Sequence, residues 1–148
     1  MSEVQIKKIL VPIDGSDTSI KAAKYAVKIA KQNKAQIICI HAITSPPYIS
    51  EYNYAPMLPV YYEGAKKLAE EWFRKVMEIA GKEGIDVKTD LLLDVVSVAD
   101  TIVNYASDKS VDMIVIGTKG RTGLKRFLLG SVANGVVLHA SCPVLVVR

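Results

Sequence analysis

Cysteine and histidine are scarce, with two of each in 148 residues. Cys39 in QIICIHAI and Cys142 in HASCPVLVV lie in or beside apolar runs, and no pair spacing suggests zinc. They read as buried small hydrophobes in a reducing compartment. His41 and His139 belong to no visible triad or metal cluster. No apolar run approaches the roughly 18 residues of a membrane span. The opening, MSEVQIKKILVPID, carries acid and base early and lacks an apolar h-region, so no signal peptide is expected and the cytoplasm is the expected location. A strong charge of one sign is missing too. The formal net charge is +4 and the lysines are scattered through helices, so nucleic acid is not a required partner. Two standard phosphate motifs are absent. There is no lysine–hydroxyl pair closing a Walker A loop, and no G-x-G-x-x-G after the first strand.

What is there is a regular alternation over one expected domain, 1–148. Residues 6–13, IKKILVPI, hold the continuous apolar run of a strand covered on both faces. The turn Asp14-Gly15-Ser16-Asp17 follows, then a helix to about Gln32, with Ser16, Asp17 or Ser19 as its cap. AQIICIHAI, 35–43, is a second buried strand. The segment 44–61 has four prolines, four tyrosines and no helical period. It is read as a loop: either a lid or partner-binding segment, or a surface loop packed back on the domain. Helical spacing resumes over 62–81, with Trp72 and Phe73 as core anchors. IDVKTDLLL, 85–93, is a strand, and 97–108 a short helix opening on Ser97 and Asp100, a variant capping box. VDMIVIG is the fourth strand. Ser131 is expected to cap a helix, SVANGVVLHA, whose Val132, Val136 and Val137 face the sheet. Gly135 within it is a small helix penalty or a close contact. PVLVVR is the last strand. Strands alternating with helices predict a three-layer α/β fold around a five-stranded parallel sheet. If the last strand lies at an edge, pairing of 143–147 with a second copy makes a homodimer.

The chemistry gathers at two loops. In open α/β sheets, ligands sit beyond the carboxyl ends of strands where the strand order reverses. With the first and fourth strands adjacent there, PIDGSD (12–17) faces GTKGRTG (117–123). Asp14 is a ribose acceptor or, equally, a residue that stabilises its own turn. The backbone at Pro12–Ile13 and at His41–Ala42 brackets a base edge. After the fourth strand, Gly117 and Gly120 let backbone N–H groups approach phosphate, and Gly130-Ser131 brings a helix start and a hydroxyl. Lys119, Arg121 and Lys125 add charge; Arg126 reads as a solvated surface residue.

These features together resemble the universal stress protein family. The opening KKILVPIDGSDTSIKAAKYAV, the ending CPVLVVR and a G-x2-G-x9-G-S motif, here Gly117, Gly120, Gly130 and Ser131, carry the resemblance, which spans essentially the whole chain. It implies a Rossmann-like topology of the adenine-nucleotide alpha-hydrolase type, with strand order 3-2-1-4-5. It also implies a site for ATP, ADP or AMP. Pro12, Ile13, Asp14 and Ala42 would meet the nucleoside, Gly117, Gly120, Arg121, Gly130, Ser131 and Val132 the phosphates, and Ile116 would belong to the same site. Family members that resemble UspA itself lack the glycine motif; this chain keeps it. Ile13 stands where Thr or Ala is common and Lys119 where His is common. The family also implies a dimer through the last strand.

No general base for attack on ATP is visible. His41 reads as a packed or hydrogen-bonded histidine, and Asp14 with Asp17 is a weak magnesium pair. The expectation is a nucleotide-dependent switch in a stress response, with a slow ATP hydrolase and a nucleotide-free dimeric scaffold as alternatives.

Overall fold

The computed structural model describes residues 3–46, 58–118 and 129–148. Five parallel strands, β1 (Lys8–Pro12), β2 (Gln36–Thr44), β3 (Val87–Val95), β4 (Met113–Gly117) and β5 (Val144–Val147), stand in the order β3-β2-β1-β4-β5. Helices α1 (Asp17–Asn33), α2 (Leu58–Gly81), α3 (Val98–Asp108) and α4 (Ser131–His139) make the crossovers. This is the α/β fold and strand order expected from the sequence.

The apolar runs of the strands have a simple cause. Ile9, Val11, Ile37, Cys39 and Val115 join α1 and α2 in one buried cluster. Leu10, Ile38, Ile40, Ile114 and Ile116 join α3 and α4 in another. Successive side chains on a strand point to opposite faces, so a sheet covered on both sides has no polar position. Among the described residues, no helix is long and apolar enough to cross a membrane.

Several boundaries differ from the sequence reading. α2 begins at Leu58, four residues before the expected start, because Pro59 stands in the first turn, where a helix needs no amide. Residues 47–57, which hold the rest of the tyrosine- and proline-rich segment, lie outside the described residues. β3 runs on to Val95 through a break in its register with β2 between Ala42 and Thr44, and Asp94 there takes a left-handed φ of 54°. Ser131 does not cap α4. Gly130 is the N-cap and has no side-chain bond, and Ser131 is the first helical residue. Val136 is buried and Val132 packs beside it, but Val137 is 41% exposed. Ala133 takes the inward place instead. Gly135 marks a close contact, since a Cβ there would lie 2.7 Å from that of Ala99 on α3.

Candidate functional site

The topology reverses between β1 and β4. β1 leads outward to β2 on one side, and β4 to β5 on the other. The loops leaving these two strands must therefore diverge and leave a crevice between them. A cavity of about 430 Å³ occupies this place. It is lined by Pro12, Ile13 and Asp14 after β1, Ala42 on β2, Ile116 and Gly117 on β4, and Gly130, Ser131 and Val132 at the start of α4. Gly120 and Arg121, with Lys119, Gly123, Lys125 and Arg126, lie outside the described residues.

The β1–α1 loop is held by its own short polar side chains. Ser16 N–H donates to Asp14 Oδ1 at 2.9 Å, an Asx turn. Ser16 Oγ accepts from Ser19 N–H at 3.2 Å and so caps α1. Buried Ser19 donates its hydroxyl to the Ser16 carbonyl at 2.8 Å. Asp14 therefore stabilises its turn and also lines the cavity, so the two sequence readings of it are compatible. Asp17 is exposed and is not part of the lining, so the two acids do not converge there as an ion site. Among the described residues, no group of three or more His, Cys, Asp or Glu side chains could hold a metal.

Gly117 has a packing reason as well as a place at the cavity. A Cβ on it would stand 2.7 Å from the Thr18 carbonyl carbon and 2.8 Å from Ser19 N. The missing side chain lets the start of α1 lie directly against the end of β4. Beyond it, Thr118 N–H donates to the Val147 carbonyl at 2.8 Å, and Gly130 N–H to the Thr118 carbonyl at 2.7 Å. Those two bonds hold the start of α4 at the mouth of the cavity.

Helices α1, α3 and α4 begin near this end of the sheet, and they differ in their first turns. α1 is capped by Ser16, and Ser97 Oγ accepts from Asp100 N–H at the start of α3. α4 has no side-chain cap. Its first intrahelical bond runs from Asn134 N–H to the Gly130 carbonyl, so the amides of Ser131, Val132 and Ala133 have no acceptor within the helix. Three adjacent donors at the positive end of a helix dipole are a site for an anion.

The other end of the cavity is apolar. Ile40, Val98, Ile102 and Ala133 line it, and His41 and Thr44 stand at its rim. Sequence reasoning singled out the backbone at His41 but not Ile40, Thr44, Val98, Ile102 or Ala133. Val98 and Ile102 carried only a weak signal, apolar positions four apart on the helix after β3. His41 Nδ1 lies 2.7 Å from the Ile13 carbonyl oxygen, and its ring meets Trp72 edge-on at 5.0 Å between centroids. His41 is thus a hydrogen-bonded, packed histidine. His139 bonds the Gly135 carbonyl at the far end of α4. Burial pushes both thiols, Cys39 and Cys142, above the ordinary cysteine range.

A model described as the universal stress protein family matches residues 5–148. A universal stress protein of Methanocaldococcus jannaschii is 41% identical over 148 residues, covering 96% of this chain and 82% of that one. Among solved structures, the universal stress protein UspA from Lactobacillus plantarum superposes with a TM-score of 0.89 at 27% identity, covering 99% of this chain and all of that one. A universal stress protein solved in complex with cAMP superposes with a TM-score of 0.71 at 25% identity, covering 96% of this chain and 97% of the other.

Proposed function

The chain belongs to the universal stress protein family, and from that premise we propose that it binds an adenine nucleotide, ATP or its ADP and AMP relatives, in the cavity between β1 and β4. The observation that carries the reading is the uncapped start of α4. The α1 and α3 starts use their own serines as caps, whereas α4 presents the amides of Ser131, Val132 and Ala133 to the cavity that Asp14 lines. Phosphates belong at the α4 end, beside Gly117 and Gly130. The ribose hydroxyls donate to Asp14. Gly120 and Arg121 of the glycine motif complete the phosphate set in this proposal. The relative in complex with cAMP supports an adenine nucleotide as the ligand class.

The base belongs against the apolar wall of Ile40, Val98 and Ile102. Ile13 has its N–H bonded to the Ile40 carbonyl at 2.9 Å and its carbonyl engaged by His41. The base-reading role therefore narrows to the backbone of Ala42. A magnesium ion accompanying ATP takes most of its oxygens from phosphate and water. Among the described residues at the cavity, Asp14 offers it the carboxylate.

The role that follows is a nucleotide-dependent switch in a stress response, in the cytoplasm. Among the described residues, neither histidine is placed as a general base for water, since each is bonded to a backbone carbonyl. Any hydrolysis is slow. A second copy pairs along β5. That strand is an edge of the sheet and reads VLVV, without a charge. The opposite edge, β3, carries Lys88, Asp90 and Asp94, the charges that discourage pairing. Leu138 on α4, which packs on β5, is 68% exposed.

The test is mass spectrometry of small molecules released by denaturing the purified protein, with calorimetry of added ATP, ADP and AMP. A retained or titrated adenine nucleotide is the expected result. No retained nucleotide and no heat of binding would leave the dimeric scaffold as the surviving reading. Rapid turnover of ATP, abolished in a folded Asp14→Ala protein, would replace the switch with an enzyme.

A further inference from the structure

One rung of the sheet is left unmade at the base end of the cavity. In a parallel ladder, a residue that donates to one carbonyl accepts in return from the amide two residues further along the same neighbour. Ile13 donates its N–H to the Ile40 carbonyl. Its own carbonyl should then accept from Ala42 N–H, yet β1 and β2 cease to pair at Pro12 and Ile40. The Ile13 carbonyl oxygen is met instead by His41 Nδ1 at 2.7 Å. A carbonyl oxygen only accepts, so Nδ1 carries the proton.

We propose that His41 is a positioning residue whose imidazole N–H takes the Ile13 carbonyl in place of the Ala42 amide, leaving Ala42 N–H turned into the cavity to read a ring-nitrogen acceptor such as adenine N1. The proposal rests on the nucleotide reading of this cavity. Side and direction follow from the pleat. Ile40 uses its carbonyl toward β1, and residues two apart on a strand direct their amides the same way. Ala42 N–H thus faces the β1 side, one step past the last β1 pair, where the chain has turned off toward Asp14. Ala42 lines the cavity there, and its side chain is a single methyl. The imidazole is held in place by the Trp72 ring, which meets it edge-on at 84°. Trp72 is itself packed under Gly15 of the same loop.

The consequence is specificity. An amide engaged in a ladder has no proton to offer a ligand, whereas this one is a donor fixed by the sheet. Adenine presents an acceptor at N1. Guanine presents an N–H at that position, which would set donor against donor and leave both unsatisfied.

Two measurements test this. The first is hydrogen exchange by NMR on the nucleotide-free protein, with His41→Phe and His41→Asn beside it. Phe keeps a ring against Trp72 without a donor, and the Asn amide nitrogen can stand where Nδ1 stands. The Ala42 amide is expected to exchange at least about tenfold faster than that of Ile40 in the wild type. His41→Phe should slow it by about tenfold as Ile13 captures it, and His41→Asn should restore it. A wild-type Ala42 amide as protected as Ile40 overturns the proposal, whether or not either variant folds. The second compares ATP with 1-deaza-ATP, which has C–H in place of N1. The wild type and His41→Asn should prefer ATP by about tenfold and His41→Phe should not. No preference in the wild type, or one that survives in His41→Phe, overturns it. If neither nucleotide binds, the adenine reading of the cavity fails, and the exchange measurement alone decides whether His41 holds the rung open.

Discussion

Gly15 and Trp72 meet so closely that a Cβ on Gly15 would lie 2.2 Å from Trp72 Cε2. The glycine also takes a φ of 82°, in the left-handed region. A helix-borne indole, only 8% exposed, thus forms the floor of the loop that carries Asp14. The core of the α1–α2 face and the ligand loop are one packed unit.

Gly15→Ala meets both obstacles, since neither the indole nor the left-handed φ accommodates a methyl. It should cost about 2–3 kcal/mol of stability. The chain has one tryptophan, so its fluorescence reports the displacement directly. Urea unfolding followed at that wavelength should show a lower midpoint with an unchanged slope.

Glycines elsewhere separate by what stands over them. Gly117→Ala drives a methyl into the backbone of Thr18 and Ser19, atoms that cannot turn aside. It should destabilise by about 2–3 kcal/mol and part α1 from β4. Gly64 in α2 has nothing within 4 Å of a built Cβ. Gly64→Ala should therefore stabilise by about 0.5–1 kcal/mol. Opposite shifts in the thermal midpoints of the two variants would check both.

Asp14 has a structural and a proposed ligand role, and two substitutions separate them. Asp14→Asn keeps an oxygen to accept from Ser16 N–H but loses the charge. Asp14→Ala loses both, at a cost of about 1 kcal/mol in stability. Calorimetry should show ATP affinity falling by about tenfold or more for Ala and by less for Asn, with the thermal midpoint of Asn close to wild type.

The strands were legible because a strand covered on both sides has nowhere to place a polar residue: Ile9, Leu10 and Val11 leave no other reading. The cavity was legible because its turn chemistry is local. Asp14, Gly15 and Ser16 form one Asx-turned loop, and Gly130 sits at a helix start. Other features depended on contacts distant in sequence. α4 is short and apolar nearly all round, so its period did not show that Val137 faces outward and Ala133 inward. Asp94 accepts a left-handed φ at a break in register that no glycine marks. Pro59 suits a first turn as well as a loop. The bond from His41 to the Ile13 carbonyl joins residues 28 apart in the chain, so it follows from strand pairing and not from local spacing.

Tyr105 predicts an alkaline effect. Burial first, and then its hydrogen bond to Asp90 at 3.0 Å, push its phenol up to about 12 from an ordinary value near 10. The folded state thus keeps the proton that the unfolded chain gives up. The stabilising contribution is fully present below pH 10 and is lost as pH rises from 10 to 12. Tyr105→Phe has no such proton. Stability measured by urea unfolding should fall less steeply over that window in the variant than in the wild type.

β5 offers a test of the proposed dimer that spares the monomer. The carbonyls of Pro143 and Val147 accept from Ile114 N–H and Thr118 N–H, so the odd-numbered residues of this stretch direct their backbone toward β4. Val144 and Val146 therefore direct theirs outward, where a second copy would pair. Proline is tolerated on an edge strand when its missing N–H faced away from the sheet. Val146→Pro should keep the β4–β5 ladder, and so the fold, at the cost of some packing against the α3–α4 core. It should remove a donor that the second copy needs. Leu145→Pro loses an N–H that the ladder uses, and it should lower the thermal midpoint sharply. Light scattering at matched concentration should give a dimer mass for the wild type and a monomer mass for Val146→Pro with its circular dichroism intact. An unchanged dimer mass in Val146→Pro would place the interface elsewhere, with the exposed face of α4 around Leu138 the next surface to mutate.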